Sequence, residues 1–377
     1  MLNSLLIRNY KNLKEFKLDS LARINLITGR NNTGKSTLLE AISLYASKGD
    51  LNYLFQILEE HGEIYKSPQG GISVHDNNIR AISSLFTDRL VSVDPIDAIS
   101  IGPVEENLFG TALESAENVL TLKLVRFIEE FATQEDGSKI RKRTPVESNS
   151  EMKSMNFHIG IEVKFDVFAS LTPLEEERFY RYGFRTQSIK PDKAHFIRTK
   201  YIDRDINGVL WDNIALSDKE KFVIKALNLI EPRIERLTFI EENTQRQRTA
   251  IVKLSDSNTP VPLKSMGDGL NRILTIILAL VNCDDGYLLI DEFENGLHYS
   301  IQEQLWTIIF DLSKILNIQV FATTHSNDCI KSFVSATNLV NVDSKYIKLE
   351  YKNGKYKHVE FTRQELITAT KQDIEIR

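Results

Sequence analysis

Apolar residues along this chain switch repeatedly between a strand-like run and a helical period. Leu21–Thr28 (LARINLIT) is a short strand with Ile24, Leu26 and Ile27 facing inward. After a Gly/Asn-rich loop, Leu38, Ala41, Ile42 and Tyr45 recur at helical spacing before Gly49. Met155–Phe168 alternates as a strand, whereas Leu174–Arg181 and Ser217–Leu229 carry helical patterns. Arg236–Ile240 and Ala250–Leu254 read as strands flanking a polar loop. From Gly269 to Val281 the residues Leu270, Ile273, Leu274, Ile277 and Leu280 keep a 3.6-residue period. Tyr287–Ile290 is wholly apolar, as in the middle of a parallel sheet. A helix over Tyr299–Leu316 and a buried strand over Gln319–Thr323 follow. Such alternation predicts an α/β domain built on a parallel sheet. Three turn-rich zones punctuate it: Ser67–Gly71, the exposed connection Gln134–Ser154, and Asp256–Pro262.

Composition narrows the class. Of 377 residues, 42% are hydrophobic and 26% charged, which excludes collagen-like, mucin-like and fully disordered chains. The longest nearly apolar run, Ile273–Val281, is far shorter than a membrane span, and MLNSLLIRNYKN does not read as a signal peptide, so a cytoplasmic protein without membrane attachment is expected. Cys283 and Cys329 are expected as packed, reduced thiols. With 47 Lys and Arg against 52 Asp and Glu, the net charge of −5 does not announce a nucleic-acid binder. The histidines and cysteines lack metal-ligand spacing, so structural zinc is not expected.

The chemistry concentrates at a few places. Residues 29–36, GRNNTGKS, match G-x-x-x-x-G-K-[ST] between a buried strand and an amphipathic helix. Gly29 and Gly34 let the backbone of Arg30, Asn31, Asn32 and Thr33 wrap closely, so that N–H groups face phosphate oxygens. Lys35 supplies a point charge between β- and γ-phosphates, Ser36 offers a hydroxyl to Mg²⁺, and Thr37 continues into the helix. At Tyr287–Glu292 a strand ends in two carboxylates. Asp291 suits a Mg²⁺ ligand, largely through water, and Glu292 suits orientation or deprotonation of a water attacking the γ-phosphate. Ser265-Met266-Gly267-Asp268-Gly269 forms a second small turn at a helix N-terminus, another anion-binding geometry. His325 closes a buried strand in ATTHS.

Together these residues resemble an ABC-type ATPase head: Walker A at 29–36, a signature at 265–269, Walker B with its Glu at 287–292, a D-loop at Asn295-Gly296-Leu297-His298, and a switch histidine, His325. More narrowly, LIRNYKNLKEFKL, SMGDGLNRIL, LLIDEFENGLHYS, QVFATTHSNDCI and the terminal IEIR are similar to the predicted ATPases of the overcoming-lysogenisation-defect group, related to recombination-mediator and chromosome-maintenance heads. The likeness covers 1–48 and about 230–377. It implies a P-loop NTPase, ABC-ATPase-like α/β head with a mixed central sheet and an inserted, mostly helical lobe. The expected division is 1–170 (Walker A part), 171–235 (inserted, locally basic lobe) and 236–377 (signature, Walker B and switch histidine).

It also implies ATP and Mg²⁺ as cofactors. Two ATP would sit between two head-to-tail subunits, with Ser265, Gly267, Asp268 and Gly269 of one copy facing the γ-phosphate held by Lys35 of the other, and Asn295 and Gly296 at the same interface. His325 would contact the γ-phosphate and attacking water. Asp268 departs from the usual signature by placing a carboxylate there. The 52 residues after His325 are too few for a Toprim nuclease, and no sustained heptads separate phosphate loop from signature, so a head without those additions is expected. The implied role is an ATP-hydrolysing switch, dimeric or larger, controlling a separate nuclease or toxin in bacterial anti-phage defence. Two rivals stand beside it: a DNA-binding repair ATPase, and a non-hydrolysing ATP-bound scaffold. The DNA rival draws on Arg178–Arg204, where eight Lys and Arg interleave with six aromatic rings. A solvated helix and loop with inward-packed rings, or a site for an acidic protein partner, accounts for the same pattern and is preferred. The basic run Lys139, Arg141, Lys142 and Arg143 is expected as an exposed loop. Tyr10 is considered for adenine stacking, with a core tyrosine favoured, and no glutamine is assigned to a Q-loop, Gln56 and Gln69 being unsupported.

Overall fold

The computed structural model describes residues 1–64, 74–91, 98–104, 118–133, 139–146, 157–174, 189–199, 206–228, 230–241 and 248–372. In chain order the first elements are β1 (Leu5–Tyr10), β2 (Leu13–Leu18), β3 (Ile24–Gly29), α1 (Lys35–Ala46), α2 (Leu51–Glu60) and α3 (Val74–Ser83). Then come β4 (Ile99–Gly102), β5 (Leu120–Thr133), β6 (Lys139–Pro145), β7 (His158–Phe165), β8 (Phe168–Pro173), β9 (Ala194–Ile197), α4 (Ile206–Asp212) and α5 (Asp218–Asn228). The last third holds β10 (Ile234–Glu241), β11 (Arg248–Leu254), β12 (Val261–Pro262), α6 (Asp268–Asn282), β13 (Tyr287–Ile290), α7 (Tyr299–Ile315), β14 (Gln319–Thr324), α8 (Asn327–Leu339), β15 (Ser344–Lys352), β16 (Lys355–Phe361) and α9 (Arg363–Lys371). Two units emerge from the contacts: Met1, Leu21–Leu39 and Asp192–Arg377 form one, and Leu2–Ser20 with Glu40–Pro191 the other.

The first unit is organised by a six-stranded sheet in the order β16-β15-β3-β14-β13-β9. Strands β15, β3, β14, β13 and β9 run parallel, and β16 closes one edge antiparallel to β15. β3, β13 and β14 are buried along their whole length, as a parallel sheet covered on both faces requires. Helix α6 is buried from Leu270 through Ile273, Ile276 and Ile277 to Val281, more completely than a one-sided stripe predicts. It packs against α4, α5 and α7 as well as β9 and β13, so it has little solvent face. Phe293 stacks on Trp306 with centroids 4.0 Å apart, and Phe333 meets the same indole edge-on. A small antiparallel sheet, β10-β11-β12, completes the unit. The expected α/β class with a mixed central sheet is therefore borne out. Both cysteines are free and buried, and burial pushes both thiols up. Among the described residues no helix is long and apolar enough to cross a membrane.

The second unit is an antiparallel sheet in the order β2-β1-β4-β5-β7-β8, with β6 also paired to β5. Here the expected exposed connection over Gln134–Ser154 is corrected. Lys139–Pro145 is a strand, and the basic run lies in it rather than in a loop. The reason is charge pairing: register sets Lys142 opposite Glu130 and Arg143 opposite Glu129, and Arg143 Nε donates to Glu129 Oε1 at 2.8 Å. Opposite-charge cross-strand pairs stabilise a ladder that hydropathy alone does not reveal. The expected helix over Leu174–Arg181 lies outside the described residues from 175 onward.

Glu40 is the buried ionic centre of this unit. Its carboxylate accepts hydrogen bonds from the Tyr10 hydroxyl and the Lys11 ammonium, and contacts His61 Nε2 at 2.6 Å. Burial alone would raise its pKa. The His61 hydrogen bond and the Lys11 charge overcome that and hold it at about 2, against 4.5 for a free glutamate. Folded Glu40 thus binds its proton more weakly than unfolded Glu40. The resulting stability, on the order of 3 kcal/mol, is fully present above pH 4.5 and lost as pH falls through about 2. Urea titrations of the protein and of Glu40→Gln are expected to differ most at neutral pH and to converge as pH falls from 4.5 toward 2; a constant difference would deny the charge a role.

Candidate functional site

The phosphate loop leaves the sheet where β3 ends. Gly29 has φ +146°, and a Cβ there would come within 2.5 Å of the Leu349 carbonyl oxygen and 2.7 Å of Thr33 Oγ1. Only glycine fits that approach. Asn32 and Gly34 also have positive φ, +64° and +86°, so the chain curls tightly before α1 begins. Thr33 Oγ1 donates to the Arg30 carbonyl at 2.8 Å, bracing the curl, while Arg30, Asn31 and Asn32 are exposed and Thr37 is half-buried. Lys35 is 9% exposed and donates to the carbonyls of Gly29 at 2.6 Å and Arg30 at 3.0 Å. Burial draws its pKa below the usual lysine value, opposed by the charges of Asp291, Glu292 and Glu294.

Parallel register brings the acidic strand end to the same edge. Ile290 pairs with Ala322, and Thr324 with Thr28, so β13, β14 and β3 finish side by side. Asp291 then meets Ser36: the Ser36 hydroxyl lies 2.9 Å from Asp291 Oδ2 and 3.1 Å from Oδ1. A hydroxyl and a carboxylate so close form an all-oxygen donor set of the kind a hard cation such as Mg²⁺ takes, so the residues fit that ion. Glu292 has φ +48°, a turn held by the next strand. Buried Thr323 donates from Oγ1 to Asp291 Oδ1 at 2.6 Å, accepts the Glu292 N–H at 2.9 Å on the same oxygen, and accepts the Phe293 N–H on its carbonyl at 2.9 Å. One threonine thereby fixes three consecutive residues.

The Ser265–Gly269 turn, expected as a signature, lies in the same unit. Ser265, Gly267 and Asp268 are exposed; Ser265 Oγ donates to the Pro262 carbonyl at 2.7 Å, and Gly267, with φ +113°, precedes the first residue of α6. Asp268 occupies that first position, where a helix N-terminus favours a carboxylate. A Cβ on Gly269 would lie 3.1 Å from the Gly296 carbonyl oxygen, so the turn is close to the segment expected as a D-loop. Asn295 and Gly296 are exposed, with Gly296 at φ +72° and the Asn295 N–H bonded to the Glu292 carbonyl at 3.0 Å. Among the described residues no hydrogen bond joins 265–269 to the phosphate loop of the same chain. His325 is exposed, and its backbone N–H and ring Nδ1 lie 3.0 and 3.1 Å from Glu294 Oε1.

Four residues that shape this site went unassigned in the sequence: Thr199, Arg272, Glu294 and Thr323. Thr199 Oγ1 and Arg272 Nη2 both donate to the Asp291 carbonyl, at 3.3 and 3.2 Å. Burial lowers the Arg272 pKa, opposed by Asp291, Glu292 and Glu294. Its signal was legible: an arginine between Leu270 and Ile273 interrupts an otherwise apolar stripe. Thr323, Glu294 and Thr199 carry no comparable local mark. Tyr10 is a core residue bonded to Glu40, and exposed Gln56 bonds Glu60 at 2.9 Å. Gln69, the terminal IEIR, and Arg178, Arg181, Arg185 and Arg204 of the basic stretch lie outside the described residues. Of the remainder, Lys193 pairs with Asp284 at 2.7 Å and Arg198 lies over the Phe196 ring at 4.3 Å.

A family model described as "AAA domain, putative AbiEii toxin, Type IV TA system" matches residues 24–328. A Helicobacter pylori protein named ATP/GTP phosphatase is 26% identical over 348 residues, spanning 88% of this chain and 87% of its own. Among solved structures, an SMC head bound to the C-winged helix domain of ScpA is similar with a TM-score of 0.49 and 12% identity, over 97% of this chain and 99% of that one. The SMC head domain from Thermotoga maritima gives 0.43 and 10%, over 96% and 99%.

Proposed function

Because the chain belongs to the family described as AAA domain, putative AbiEii toxin, Type IV TA system, we propose that it binds ATP with Mg²⁺ and hydrolyses it to ADP and phosphate. The observation that carries this is the meeting of Ser36 with Asp291 at 2.9 Å, beside buried Lys35, at the shared end of three parallel strands. The Helicobacter pylori relative's name, ATP/GTP phosphatase, supports the same chemistry.

In this reading the 29–36 backbone and Lys35 would hold the β- and γ-phosphates, and Ser36 and Asp291 would hold Mg²⁺, which would offset charge on the phosphate oxygens. Glu292 orients a water in line with the γ-phosphorus and takes its proton. The new O–P bond forms as the bond to the β-phosphate oxygen breaks, leaving ADP. His325 offers its exposed ring to the attacking water beside the γ-phosphate.

The exposed Ser265–Gly269 turn has no hydrogen bond to its own phosphate loop, which supports its use on a second copy. Two chains in a closed head-to-tail pair would complete two sites. Mixing inactive chains tests this directly. Lys35→Ala and Ser265→Arg are each expected to abolish turnover, while an equimolar mixture recovers a fraction of it. In the mixed dimer one site keeps both Lys35 and Ser265. A mixture as inactive as its parts sinks the shared site.

The finer setting follows the likeness to the overcoming-lysogenisation-defect group. Hydrolysis would reset a switch over a separate nuclease or toxin in anti-phage defence, and a family named for a TA system supports a partner gene product.

A further inference from the structure

His325 needs one ring nitrogen committed if the other is to accept reliably from the attacking water. Neutral imidazole exists in two tautomers, and the hydrogen bond made by one nitrogen decides what the other can do. In this protein the commitment comes from Glu294. Its Oε1 lies 3.1 Å from His325 Nδ1 and accepts the His325 backbone N–H at 3.0 Å. A carboxylate oxygen 3.1 Å away repels a bare ring lone pair and attracts an N–H, so Nδ1 carries the hydrogen, and Nε2 of the neutral ring is left as an acceptor. Exposure agrees with that division of labour: the Glu294 side chain is 13% exposed, whereas the His325 ring is 49% exposed.

Glu294 is itself held. It lies in the turn carrying Asp291 and Glu292; its carbonyl accepts the Leu297 N–H at 3.0 Å, and the preceding Phe293 is stacked on Trp306. Its second oxygen, Oε2, is buried with no hydrogen-bond partner. A buried carboxylate oxygen without a partner is costly, so plain packing at this position would favour an apolar side chain.

We propose that Glu294 is the positioning residue of His325, locking its ring in the Nδ1–H tautomer with Nε2 left to accept a hydrogen bond from the attacking water. The proposal deepens the hydrolytic reading above and rests on it for its catalytic consequence. It also ties the switch histidine to the turn that bears the Mg²⁺ and water-orienting carboxylates, so that displacing one displaces the other.

The test combines kinetics with a direct reading of the tautomer. Glu294→Leu is expected to lower kcat about 10- to 100-fold, as loss of a histidine's outer partner does elsewhere, with KM for ATP nearly unchanged. Glu294→Gln keeps an acceptor oxygen and is expected to restore most of the rate. In a His325→Ala background, Glu294→Leu should cost nothing more. Nitrogen-15 spectra of histidine-labelled protein, assigned by loss of the His325 signals, should show Nδ1 protonated in the parent and a mixed tautomer in Glu294→Leu.

A wild-type kcat in Glu294→Leu, or an equal loss with and without His325, overturns the proposal, because a purely structural residue would act in both backgrounds. Failure of hydrolysis itself is distinguishable: the parent would then show no ATP turnover. The nitrogen spectra would decide the pairing alone, an unchanged tautomer in Glu294→Leu sinking it.

Discussion

Replacing Lys35 by alanine is expected to weaken ATP binding by about 100-fold or more while leaving the fold standing. The ammonium is nearly enclosed and spans the Gly29 and Arg30 carbonyls, and the charges nearest it are Asp291, Glu292 and Glu294. Its removal takes away a charge-assisted donor to phosphate and leaves three carboxylates facing a triphosphate, two losses of the same sign. The two carbonyls lose a donor that water can replace, so the nucleotide-free protein should melt within a few degrees of the parent. Calorimetric titration with ATP and Mg²⁺ reads the effect. Unchanged affinity would remove the phosphate-loop assignment, and with it the hydrolytic reading.

Glu292→Gln has the complementary signature. The Thr323 hydroxyl accepts the Glu292 backbone N–H, and the strand-end turn is set by Thr323 and Phe293, none of which involves the Glu292 carboxylate. Glutamine should therefore keep the turn, ATP binding and the nearby Asp291, yet it cannot take a proton from water. Turnover is expected to fall about 10²- to 10⁴-fold, the usual worth of a positioned base. The ATP-bound dimer should then accumulate, visible as a doubled mass in light scattering with ATP present. Hydrolysis at the parent rate would show that another group takes the proton. Full loss of turnover with no change in mass would keep the base assignment and remove the sandwiched dimer.

The chain is most legible where its information is contiguous. The order of strand, loop and helix around residues 24–46 and the alternation from Gly269 to Thr323 follow from apolar periods in short windows, and the observed boundaries agree to within a few residues. Local sequence misleads where stabilisation comes from a distant partner. The four residues of β9 form no pattern of their own and become a strand only by lying parallel to β13. The basic strand β6 looked like a loop because its stability comes from Glu129 and Glu130 on β5 rather than from apolar residues.

The candidate site divides in the same way. Gly29, Lys35, Ser36, Asp291, Glu292 and His325 were legible because each sits in a short string whose chemistry is local: a glycine that must curl, a lysine at a helix start, carboxylates where an apolar strand stops. The hydrogen bonds of Asp291 to Ser36 and Thr323, the Arg272 and Thr199 donors on its carbonyl, and the hold of Glu294 on His325 were decided only by the folded chain. Those contacts join residues that parallel pairing of β3, β14 and β13 carries to one edge. Sheet register is a long-range property, set by buried side chains on every strand at once, and no window of sequence contains it.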